Sequence, residues 1–173
     1  DVFSFVMRAE NLDFAETLRR LSQQAGVVLP TSQNHSRQQV AYQVNEAAKT
    51  YYQGILASDQ GVSARYYLEQ RGLTGEYIAK FELGLSPQDG ESLGNHLTRN
   101  GFSLDQLTAA GVVRVNDRGQ FRDFFRGRLI IPIRNTHGEL GGFGSRALDD
   151  SGPKYLNSAR TPVFDKGRIL YGL

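Results

Sequence analysis

The last third of this 173-residue chain sets basic side chains among aromatic and amide ones at close spacing. Lys154-Tyr155-Leu156-Asn157-Ser158 places an ammonium, a ring and an amide within four positions. Arg126 and Arg128 flank Gly127 just ahead of the apolar run Leu129–Ile133. Arg146 closes a glycine-rich run, and Lys166 and Arg168 flank Gly167. Such a set suits a nucleic-acid strand. Arg and Lys offset phosphate charge, a tyrosine ring takes a base on its face, and an asparagine amide hydrogen-bonds a base or sugar. The same residues also fit a solvated, basic sheet edge with Tyr155 as a core ring beside Leu156, and both readings stay open at this point.

Other chemistries fare worse. His35, His96 and His137 lie 61 and 41 residues apart with no second ligand at helical or turn spacing, so they read as surface histidines rather than a zinc site. There are no cysteines, which excludes disulfides, thiolate zinc and thiol catalysis and fits a reducing compartment. Asp149-Asp150 is the single acidic doublet. It stands beside Ser151-Gly152-Pro153, which makes it a solvated turn rather than a magnesium site, and no Asp-x-Asp occurs. Gly142-Phe143-Gly144-Ser145-Arg146-Ala147 imitates the dinucleotide fingerprint. That fingerprint needs a helix to open at once, and Gly152-Pro153 follows too soon for one.

The net charge of +2 hides an asymmetry. Residues 1–110 carry nine Lys+Arg against twelve Asp+Glu, whereas residues 111–173 carry eleven against six, and nine of those eleven bases are Arg. A basic last third points toward a polyanion, and arginine's planar fork matches phosphate and stacks on bases. Hydrophobic residues at 39% and charged residues at 22% suit a globular chain with a core. No stretch approaches the roughly 20 apolar residues of a membrane helix. Asp1-Val2-Phe3-Ser4-Phe5 has neither the basic nor the long apolar region of a signal peptide. With no starting Met, the chain is expected to be cut from a longer protein.

The elements that must position these residues divide into helices and then strands. Asp13 with Glu16 makes a capping box for a helix over 13–25, and Gly26 stops it. Residues 31–37 follow Pro30 as a polar linker. A long helix spans 38–58 with Val40, Val44, Ala47, Ala48, Tyr51 and Ile55 on its apolar face. Shorter helices run from Ser63 to Gln70, from Thr74 to Lys80, from Glu91 to Asn100 and from Ser103 (boxed with Gln106) to Gly111. Phe81–Leu85 reads as a short strand. Val112–Val115, Phe121–Phe125, Leu129–Arg134 and Glu139–Gly144 are β-like runs, and Asn116–Gly119 and Asn135–Gly138 are hairpin turns between them. The order predicts an α+β fold: N-terminal helices, then a small, mainly antiparallel sheet carrying a basic groove.

At these residues the chain resembles the DnaG-type bacterial DNA primases along nearly its whole length. Tyr67-Leu68-Glu69-Gln70-Arg71-Gly72-Leu73 is similar to that family's Tyr-Leu-x-x-Arg-Gly-Leu, and Phe81-Glu82-Leu83-Gly84 to its Phe-x-x-Gly. Phe125–Ile133 is similar to Phe-Arg-x-Arg-x-x-x-Pro-Ile, and Phe143–Arg146 to Phe-Gly-Gly-Arg. Lys154–Ser158 matches Lys-Tyr-Leu-Asn-Ser residue for residue, and Phe164–Leu173 resembles the run ending Leu-Tyr-Gly-Leu. Asp1–Met7 resembles the exit from the zinc-binding module. Four places depart from the pattern: Phe124 where Arg is usual, Ser145 for the second glycine, Ala159-Arg160 for Pro-Glu, and Asp165 for His or Ser.

The resemblance implies a division into residues 1–30, the module exit and first helix; 31–37, the linker; and 38–173, the N-terminal subdomain of the polymerase core. The zinc module would precede Asp1 and the Toprim metal acids would follow Leu173. The fragment itself would then hold no catalytic residue, metal or cofactor, although the parent family uses magnesium (or manganese) and a structural zinc. It also implies RNA-primer synthesis on single-stranded DNA in bacterial replication, in the cytoplasm. Its partners would be template, RNA–DNA hybrid, ribonucleoside triphosphates and, through a domain absent here, the replicative helicase. By the same likeness, Arg71, Arg126, Arg128, Arg146, Lys154, Tyr155, Asn157 and Lys166 would line the groove. The alternative is a module that binds single strands without catalysing.

Overall fold

Helix caps and hairpin turns written into the sequence set most of the element boundaries. The structure, a computed structural model, describes residues 2–10, 12–27, 32–149 and 152–167. Two units divide the chain, residues 1–36 and 37–173.

The first unit holds helices α1 (Val2–Glu10) and α2 (Phe14–Gln24). Asp13 and Glu16 cap α2 reciprocally, as their spacing predicts, with Glu16 N donating to Asp13 Oδ1 at 2.7 Å. Phe3 and Phe14 bring their rings to 5.9 Å, and Arg20 pairs with Glu10 at 2.9 Å. Helix α1 is not among the helices expected from the sequence.

Helix α3 (Ser32–Ala57) begins earlier than expected. Residues 32–37, read as a polar linker, are already helical, and the boundary between the units falls inside the helix at Ser36/Arg37. No Gly or Pro interrupts residues 32–53, so an anchored helix propagates backward at little cost once it has formed. Its buried face is turned slightly from the expected one. Ala41, Val44, Ala48, Tyr52 and Leu56 are enclosed, while Val40, Ala47, Tyr51 and Ile55 are only partly covered.

Helices α4 (Val62–Glu69), α5 (Gly75–Lys80), α6 (Ser92–Arg99) and α7 (Leu104–Ala109) follow. Ser103 and Gln106 cap α7 as a box. The strand expected over Phe81–Leu85 shrinks to β1 (Gly84–Leu85), because Phe81 is the C-cap of α5 and Glu82 takes a left-handed φ of 51°. Strands β2 (Val113–Val115) and β3 (Phe121–Asp123) form a separate hairpin. Asp123 on β3 caps α6 across the fold, accepting from Leu93 N at 3.0 Å and Gly94 N at 2.9 Å. Burial raises its carboxyl pKa, and those two N–H groups partly oppose the rise.

The main sheet has the order β1-β4-β5-β6, with β4 (Arg128–Arg134), β5 (Leu140–Ala147) and β6 (Tyr155–Asn157), all pairs antiparallel. Register decides the two faces. Ile130 opposite Ser145, Pro132 opposite Phe143, and Leu156 share the face turned to α3, where Phe143 meets the Tyr52 ring edge-on at 5.7 Å. Leu129, Ile131 and Ile133, Gly142, Gly144 and Arg146, and Tyr155 and Asn157 share the other. On that second face α4 covers one end, with Leu68 and Leu56 packed in one cluster with Leu129 and Leu85. Antiparallel pairing after a helical half is the α+β arrangement expected.

Candidate nucleic-acid interface

The uncovered part of the second sheet face is a shallow cleft of about 190 Å³, lined by Ile131, Ile133, Gly144, Ser145, Tyr155, Asn157, Phe164 and Lys166. Gly144 forms its floor. A Cβ there would stand 3.3 Å from Asn157 Oδ1 and 3.6 Å from Ile133 Cδ1 and would fill the floor between them. Gly142 lets Phe164 close the far end, since a Cβ would fall 2.7 Å from the Phe164 ring. Strand alternation thus exposes Tyr155 and Asn157 together while Leu156 between them turns to the core. Tyr155 is 61% exposed and is not a core ring.

Four side chains at the helical end of this face form a ladder. The Arg71 guanidinium lies 4.7 Å from the Tyr67 ring centroid, and that of Arg146 lies 5.6 Å from Tyr67 and 5.3 Å from Tyr155. Arg146 Nη1 also donates to the Tyr155 hydroxyl at 2.5 Å. Each cation thus sits against a ring that gives it partial charge compensation. Lys154, immediately before β6, is exposed, and so is Lys166.

A second cleft, about 620 Å³, continues past the shared residues Tyr155, Asn157 and Lys166 to Arg114, Phe124, Arg160 and Asp165. Arg114 on β2 places its guanidinium 4.4 Å from the Phe124 ring. Arg160 pairs with Asp165 at 3.3 Å while staying largely exposed.

Of the eight residues read from the sequence, Arg71, Arg146, Tyr155, Asn157 and Lys166 come together on this face or its ladder, with Lys154 beside it. Arg126 is exposed and lies against Gly90, where a Cβ would fall 2.6 Å from its Cδ. Arg128 is different. It is only 8% exposed, its Nε donates to Ser145 Oγ at 2.9 Å, and its Nη2 donates to Pro153 O at 2.5 Å and Lys154 O at 3.2 Å. Burial lowers its pKa, partly offset by Asp149. The structure spends Arg128 on holding the strands and not on an open surface. Arg168 lies outside the described residues.

Sequence reading missed Tyr67 and Arg114 as members of this surface. Tyr67 had a signal, standing on the last turn of α4 four residues before Arg71, which lies in the turn just past the helix end, whereas Arg114 meets Phe124 only through the fold. Among the described residues, no three His, Asp or Glu side chains come together to hold a metal ion. Among the same residues no helix is long and apolar enough to cross a membrane.

Residues 51–173 match the family described as DNA primase catalytic core, N-terminal domain. This chain belongs to that family. A DNA primase of Deinococcus radiodurans is 42% identical over 100% of the chain, which covers 30% of that protein. The RNA polymerase domain of Mycobacterium tuberculosis primase DnaG, in complex with a double-stranded DNA oligomer with a 6-nucleotide overhang, is similar at TM-score 0.73 and 36% identity, over 78% of this chain and 42% of that one. A DnaG primase catalytic domain bound to single-stranded DNA is similar at TM-score 0.72 and 42% identity, over 80% and 45%. This primase-family chain therefore spans about a third of the curated primases it matches. The seven segments that carried the resemblance in the sequence thus led to the right family.

Proposed function

We propose that this chain is the template-binding part of a bacterial, cytoplasmic DNA primase that makes RNA primers on single-stranded DNA from ribonucleoside triphosphates. Residues 38–173 act as the N-terminal subdomain of its polymerase core. The observation that carries this reading is one sheet face. There Arg146 and Tyr155 stand side by side, Asn157 projects from the same strand as Tyr155, and Gly144 leaves the floor of the cleft between Asn157 and Ile133 without a side chain. Arg71, Arg146, Lys154 and Lys166 offset phosphate charge along the strand, Tyr155 stacks a base, and Asn157 hydrogen-bonds a base or sugar. None of these groups acts as general acid or base; their role is to position and to neutralise charge. Metal-dependent phosphoryl transfer and the contact with the replicative helicase belong to parts of the parent protein beyond this chain.

Titrating a labelled single-stranded oligonucleotide with the chain at rising salt tests this. Binding is expected at low salt and to weaken steadily, because counterion release makes phosphate-driven affinity fall with salt. No binding at low salt, or binding indifferent to salt, would count against it.

A further inference from the structure

We propose that Tyr67 is a positioning residue of this surface: its ring and that of Tyr155 clamp the Arg146 guanidinium so that its outer edge meets a single-strand phosphate. The inference rests on the reading above that this face binds a single strand. Tyr67 is on helix α4, Arg146 on β5 and Tyr155 on β6, so three elements converge on one guanidinium. The two centroid distances, 5.6 Å and 5.3 Å, put both rings within cation–π range of the one guanidinium. Arg146 Nε is buried with no hydrogen-bond partner, and Nη1 is engaged by the Tyr155 hydroxyl, which leaves the Nη2 edge for a phosphate oxygen. A free arginine samples many rotamers and gives up that freedom on binding; a clamped one has already given it up.

The Tyr67 hydroxyl matters for a different reason. It too is buried without a hydrogen-bond partner. What Tyr67 contributes is therefore its ring face and not its oxygen, and phenylalanine should replace it. Arg71, stacked at 4.7 Å on the same ring, holds the ladder from the outer side.

The test titrates a labelled oligothymidylate with the wild-type chain and with Tyr67→Leu, Tyr67→Phe, Arg146→Ala and the Tyr67→Leu/Arg146→Ala double variant. Tyr67→Leu should bind about 2–30-fold more weakly, the range of one cation–π contact. Its log K against log salt slope should flatten by up to about 0.7, the single-strand value of one phosphate contact. Tyr67→Phe should restore both. In the Arg146→Ala background Tyr67→Leu should cost less than it does in the wild type, keeping only its effect through Arg71. Wild-type affinity and slope in Tyr67→Leu, or an undiminished loss in the Arg146→Ala background, would overturn the proposal. Should Tyr67→Leu fail to fold, the Arg146 Nε–H resonance decides: ring currents should displace it in wild type and in Tyr67→Phe, and an undisplaced resonance would overturn the clamp. A wild-type chain that binds no oligonucleotide fells the proposed function and this inference together. A wild-type chain that binds while Tyr67→Leu binds equally fells the inference alone.

Discussion

Arg128 donates its Nε–H to Ser145 Oγ at 2.9 Å across the β4–β5 pair, and the same hydroxyl donates to Leu156 O on β6 at 2.9 Å. Arg128 Nη2 donates to the carbonyls of Pro153 and Lys154, and the Arg128 backbone N–H donates to Ser86 Oγ at 2.9 Å. One buried arginine thus fixes the approach to β6 and so the exposure of Tyr155 and Asn157. The serine at position 145, where the resemblance has glycine, supplies the acceptor that makes this tie. Arg128 and Arg146 differ by strand parity: Arg146 is paired with Leu129 on the open face, while Arg128 lies on the side of Ser145.

Arg128→Met should therefore act on folding. It removes a charged donor and leaves Ser145 Oγ and two carbonyls to find other partners, a loss of about 2–3 kcal/mol for hydrogen bonds of a charged group. Denaturant unfolding measures it. An unchanged midpoint combined with lost oligonucleotide binding would place Arg128 in the interface instead.

Lys154 and Tyr155 should fail differently although they are neighbours. Lys154→Ala should weaken binding to every sequence and flatten the salt slope by roughly 0.7. Tyr155→Ala should cost about 1–3 kcal/mol of binding with the slope nearly unchanged. Because the ring is 61% exposed, its melting temperature should stay close to wild type. A sharp fall in melting temperature for Tyr155→Ala would show that the ring supports the fold.

Arg114 should behave as an extension of the same surface. Its guanidinium, 4.4 Å from the Phe124 ring, brings a cation to the position where the resemblance has arginine at 124. Arg114→Ala should flatten the salt slope by up to about 0.7, whereas Phe124→Arg in that background should restore it. A slope that ignores both changes would confine the surface to the smaller cleft.

What the sequence disclosed was local. The capping boxes at Asp13/Glu16 and Ser103/Gln106 and the Asn-x-x-Gly turns at 116–119 and 135–138 satisfy their own backbone donors, so a few adjacent residues suffice to read them. The start of α3 was not legible, because polar residues without Gly or Pro serve a linker and a helix equally well. On the open sheet face, residue type singled out Arg146, Tyr155 and Asn157 as candidates. It did not separate Arg128 from them, since burial follows from which face of β4 meets α3, a matter of long-range packing. Tyr67 and Arg114 acquire their roles only from partners 79 and ten residues away.

The ion-pair network at Glu82 should make stability depend on pH in a defined direction. Lys49 Nζ lies 2.6 Å from Glu82 Oε1 and 2.9 Å from Glu46 Oε2, and Arg134 pairs with Glu46 at 2.6 Å and Glu82 at 2.8 Å. Burial raises both carboxyl pKa values, but the bonds to Lys49 and Arg134 outweigh it and leave them below the ordinary 4.5. A lowered acid stabilises the fold above its unfolded value and loses that contribution as pH falls through its folded value. Glu82→Gln keeps the shape and removes the charge. Such partly exposed pairs are worth at most about 1 kcal/mol each and Glu82 makes two, so the variant should melt lower by up to roughly 4–8 °C near neutrality, at the usual conversion of about 2–4 °C per kcal/mol for a chain of this size. Below pH 4.5 the gap should close as wild-type Glu82 takes up its proton. Asp123, whose raised carboxyl works in the opposite sense, is common to both proteins and cancels in the difference. Paired melting curves from neutral to acid pH provide the check, and a gap that persists undiminished into acid would show that Glu82 acts through packing and not through its charge.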